Sequence, residues 1–122
     1  MWMCAHLIFY YKCAEQDSIL VHENVHLIEA DSAEDANRKA LELGREGEIL
    51  NEDGTLTIDD KPAQYLFAGV RKIITVVPAP GKGDADLTSG MEVTYSQFEV
   101  DDEEALRRLA DGEGVDVFYE AE

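Results

Sequence analysis

The chain has 122 residues, 45% of them apolar, with 27 acids against 10 bases and a formal net charge of −17. That length is one domain able to bury its own core, and the apolar content excludes a disordered chain. The charge disfavours phosphate backbones and hence DNA or RNA, and no apolar run approaches the roughly 18 residues of a membrane span.

The N-terminus has no basic segment, and His6 and Lys12 interrupt its apolar run, so no signal peptide is expected. Residues 4–13 alternate as a strand. Ala5, Leu7, Phe9 and Tyr11 form an apolar side, and Cys4, His6, Ile8, Tyr10 and Lys12 a mixed one. At about 3.3 Å per residue, Cys4 and Cys13 lie roughly 30 Å apart on opposite faces, too far to bridge. Two free thiols favour a reducing, cytoplasmic setting.

After a polar turn at 14–18, residues 19–30 form a second strand. Val21, Glu23, Val25 and Leu27 share one side, and Leu20, His22, Asn24, His26 and Ile28 the other. Pairing through that turn sets Tyr11 opposite Val21, Phe9 opposite Glu23, Tyr10 opposite His22 and His6 opposite His26. A slip of one residue would undo this register.

Ser32 or Asp31 then caps a helix with Glu34 and Asp35 in its first turn, and Gly44 or Gly47 ends it. An acidic connector over 48–62 carries the turn signal Asp53-Gly54. Residues 63–77 form a long strand that is apolar on both sides. Pro78, Pro80, Gly81 and Gly83 mark a flexible loop over 78–90. A strand over 91–100, a helix capped by Asp101 and a short strand over 115–119 complete the chain.

Residues 28–36 and 98–105 echo each other as a strand running into an acid-capped helix. The pattern predicts one α+β domain over 1–122: core 2–77, flexible loop 78–90 and a C-terminal strand–helix–strand over 91–120. Its antiparallel sheet of four to five strands carries two helices on one face in a ferredoxin-like arrangement. The first and third long strands are apolar on both sides, so the second face needs cover. Dimerisation through the sheet is the simplest cover, and barrel closure the alternative.

Three blocks carry a likeness to a known family. They are Trp2 with Ala5-His6-Leu7-Ile8-Phe9, then Glu23 to Ala30 with Ser32-Ala33-Glu34-Asp35-Ala36, then Phe67-Ala68-Gly69-Val70-Arg71-Lys72-Ile73. In order and spacing the chain resembles the domain of unknown function 4288 family over roughly residues 2–75. That resemblance implies a small bacterial-type domain and brings no catalytic residues with it.

Enzyme templates fail: there is no Gly-x-Ser-x-Gly, no phosphate loop and no complete calcium loop. His22 and His26, about 13 Å apart along a strand, cannot hold one ion, so no metal or cofactor is expected. Glu23 sits on an apolar side, and Arg71 lies similarly among Phe67, Gly69 and Ile73. The two are expected to pair or to line a shared cleft, with His6, His26 and Tyr10 as further ligand-facing candidates. The functional expectation is a non-enzymatic acidic module that docks on a basic protein partner, as inhibitor or immunity proteins do. The alternatives are a dimeric small-molecule or metal binder using the sheet face, and an enzyme of unrecognised type.

Overall fold

The computed structural model describes residues 1–76 and 89–119. β1 (Trp2–Cys13) and β2 (Ile19–Glu29) form an antiparallel hairpin, α1 (Ala33–Glu46) follows, and β3 (Thr57–Ile58) leads into β4 (Lys61–Thr75). β5 (Glu92–Val100) and α2 (Glu103–Ala110) come last. One antiparallel sheet has the order β3-β4-β1-β2-β5, with β1 at its centre. The predicted loop over 78–90 falls outside the described residues except for Ser89 and Gly90, which form a turn. The predicted last strand is reduced to one bridge, Phe118 to Glu99.

The helices form for the reasons their ends announce. Ser32 caps α1 by accepting from the Asp35 amide at 3.1 Å, and Gly47 closes it. Gly44 lies inside the helix, at a position that must be glycine because a Cβ there would meet the Phe67 ring 2.3 Å away. The second cap falls one residue later than the sequence predicts. Asp102, not Asp101, accepts from the Ala105 amide at 2.8 Å.

Two expectations are corrected together. Tyr10 pairs with Val21, Ile8 with Glu23 and Ala5 with His26, one residue off the predicted register. The physical reason is that both faces of the hairpin are buried, so the apolar pattern tolerates a slip that would be forbidden in a one-sided sheet. The helices also lie on opposite faces, not on one. α1 packs with Met3, Ala5, Leu7, Phe9 and Ile28, whereas α2 packs with Ile8, Val21, Phe98 and Val100. The order strand–strand–helix–strand–strand–strand–helix therefore departs from the ferredoxin-like arrangement.

α2 covers, within one chain, the part of the second apolar face formed by Ile8, Val21, Phe98 and Val100, where no second copy is needed. Register jumps leave Ala68 and Arg71 as extra residues on β4, and another falls at Val93 on β5. Such bulges bend a strand and re-aim its side chains.

Candidate functional site

Four of the five sequence-predicted site residues, Glu23, His6, Tyr10 and Arg71, lie on the α2 side of the sheet. The corrected register makes His6 a diagonal neighbour of Glu23, and its Nδ1 stands 2.9 Å from the Glu23 carboxylate. The expected Glu23–Arg71 pair is therefore not made. Arg71, projected by its bulge, donates to the carbonyls of Leu109 and Glu113 and so satisfies the C-terminal end of α2. Tyr10 edges a groove of about 260 Å³ beside α2, where burial and then the Glu103 charge push its phenol upward.

His26 lies on the other face, so it does not meet His6 as predicted. Its Nδ1 is 2.9 Å from the Gly90 carbonyl, and Nε2 faces Glu92 at 4.0 Å. On this α1 side, beyond the end of the helix, β4, β1, β2 and β5 place Tyr65, Tyr11, His22 and Tyr95 side by side. Tyr65 stacks on Phe9 with ring centroids 4.9 Å apart and planes 5° apart. The centroid of Tyr11 lies 4.9 Å from Tyr65, and His22 lies 5.3 Å from Tyr11 and 5.8 Å from Tyr95.

A directed hydrogen-bond chain runs across these rings. Gln97 Oε1 only accepts, so Nε2 of His22, 3.0 Å away, donates to it. With Nε2 as the donor, Nδ1 faces the Tyr65 hydroxyl at 3.1 Å and accepts from it. The Tyr65 oxygen in turn accepts from Asn24 Nδ2 at 3.3 Å. Burial pushes the Tyr65 phenol up to about 12. It therefore stays protonated at neutral pH and acts as a fixed donor, not as a base. Beside the chain, His22, Asn24, Glu92, Tyr95 and Gln97 line an open depression of about 230 Å³.

Sequence reasoning missed most of this platform. Asn24, Tyr65, Glu92, Tyr95 and Gln97 come from three strands, and only the true register brings them together. The available signal was the polar side of β2, His22-x-Asn24-x-His26, running along a sheet whose neighbouring strands are rich in tyrosine. Among the described residues, no group of three or more His, Cys, Asp or Glu side chains is placed to hold a metal ion. Cys4 and Cys13 are free and half-buried. No helix among the described residues is long and apolar enough to cross a membrane.

The fold and platform define an α+β domain with an open polar-aromatic sheet face. The family model described as Domain of unknown function (DUF4288) matches residues 2–94, and the chain belongs to that family. The match spans β1 to β4 and reaches Thr94, so Tyr95, Gln97 and all of α2 lie beyond it. Nothing matches among the curated proteins or among the solved structures.

Proposed function

We propose that the protein is a non-enzymatic acidic binding module that docks on a basic protein through the tyrosine–histidine platform of its α1 side. The observation that carries this reading is the platform itself. Its Tyr65, His22 and Asn24 donors are spent on His22, Gln97 and Tyr65, and Glu92, Tyr95 and Gln97 are exposed on a chain of net charge −17. A protonated Tyr65 suits recognition better than proton transfer. The excess of carboxylates would draw a basic partner in from a distance, with the platform fixing its position.

Steering of this kind is salt-sensitive because exposed charges are screened within about 8–10 Å at physiological ionic strength. A basic partner recovered by cross-linking in the producing cell is expected to associate at least about tenfold more slowly when salt rises from roughly 50 to 500 mM. Stopped-flow mixing reads this directly. An association rate indifferent to salt would remove the basis for the proposal.

A further inference from the structure

We infer that the depression lined by His22, Asn24, Glu92, Tyr95 and Gln97 is a receptor for one arginine side chain of the partner. The inference rests on the acidic-module reading and adds the chemistry of its anchor.

At about 230 Å³ the space falls below the 300–1,000 Å³ typical of pockets for whole small molecules, so it suits a head group. Among the described residues, Glu92 is the only charged side chain that lines it, and it is negative. Asn24 spends its Nδ2 on Tyr65, which leaves Oδ1 to accept. Gln97 Oε1 takes one hydrogen bond from His22 and keeps a second lone pair. The lining therefore offers acceptor oxygens on three residues, the Glu92 carboxylate and the Asn24 and Gln97 amides, while the His22 Nε2 donor is spent on Gln97.

The wall is a ring face. Tyr95 is 58% exposed and tilted 41° against His22, so a planar group can lie on it. Planarity with several N–H donors describes a guanidinium, which stacks on aromatic rings and bonds several acceptors at once. An ammonium group is compact and more strongly hydrated, and it has three donors on one point charge. Charge complementarity selects a cation, and the shape of the lining selects the flat one. His26 Nε2 faces the same Glu92 carboxylate at 4.0 Å from the neighbouring strand.

The test titrates the full chain with Ac-Gly-Arg-Gly-NH₂ and with its lysine and citrulline counterparts, following aromatic side-chain resonances by NMR at low salt. The arginine peptide is expected to give saturable shifts at Tyr95, His22 and Tyr65, with affinity about three- to fivefold above lysine. Citrulline, flat but uncharged, should give none. Tyr95→Ala and Glu92→Gln, both at exposed positions, should each weaken the arginine response by a similar factor.

Equal response to lysine and arginine overturns the inference, as does binding that is unchanged in Tyr95→Ala. A salt-sensitive partner combined with equal lysine and arginine responses sinks the arginine anchor and leaves the acidic-module reading standing. Arginine selectivity at Tyr95 combined with a salt-indifferent partner does the reverse.

Discussion

Leu106→Ala is expected to lower the unfolding free energy of the chain by about 2–5 kcal/mol. Leu106 is 5% exposed, and it packs with Leu109 over Ile8, Val21, Phe98 and Val100. α2 has only eight residues, too short to hold its shape alone, so its stability comes from this contact. Domains of this size are stable by about 5–15 kcal/mol, so the loss is a large part of the total. Denaturant unfolding at several protein concentrations separates the possibilities. A concentration-independent fall in midpoint shows that the helix covers the second face within one chain. A variant as stable as the parent, with a midpoint that rises with concentration, would show that a second copy covers it instead.

Phe9→Ala should cost about 3–5 kcal/mol, and it should also disturb the platform. Phe9 is 2% exposed and belongs to the α1-side core, and its ring is the flat support on which Tyr65 lies. It also packs at 5.5 Å against Phe67, the ring that forbids a side chain at Gly44. Removing it opens space under Tyr65 and lets water reach the phenol. Tyr65, pushed up to about 12 in the folded chain, should then ionise nearer its ordinary value of 10.

The same phenol sets an alkaline limit on stability. Between about pH 10 and pH 12 the folded chain keeps a proton that the unfolded chain has lost. This stabilisation is complete below about pH 10 and disappears as pH rises toward 12. Solvent screening at the half-buried ring makes it smaller than the full shift implies. A spectrophotometric tyrosinate titration of the parent and of Phe9→Ala reads the change. An unaltered last ionisation would show that Phe9 does not hold Tyr65.

The elements of this fold were legible in the sequence, and their arrangement was not. Strict alternation marked β1 and β2 to within two residues, and Ser32 with Glu34 and Asp35 marked the start of α1. The register was hidden because Leu7 and Ile8, which point to opposite faces, are both completely buried. Apolar patterning cannot choose between registers when both faces are covered. The placement of α2 was hidden for a related reason. The stripe of Leu106, Leu109 and Ala110 says that the helix is covered on one side, but not which face of the sheet it meets.

The site followed the register. Glu23 stands out in the sequence by its place on an apolar side, and its carboxylate is partnered there by His6, not by Arg71. The one-residue slip hides that partner, because it sets His6 opposite His26. Arg71 looked like a ligand-facing cation because a bulge cannot be seen in the sequence, yet that bulge turns it toward the end of α2. Tyr65 and Gln97 drew no attention because each is ordinary in its own strand, and only His22 between them makes them a chain.

The most direct test sets the two faces of the sheet against each other. Tyr95 is exposed on the α1 side, and Ile74 is 47% exposed and aligned with Cys4 on the α2 side. Titration calorimetry would compare the parent, Tyr95→Ala and Ile74→Ala for binding to the basic partner recovered by cross-linking. Tyr95→Ala should weaken binding by about tenfold, the scale of a buried aromatic anchor, and Ile74→Ala should leave it unchanged. Loss of binding in Ile74→Ala with full binding in Tyr95→Ala would place the partner on the opposite face and contradict the platform.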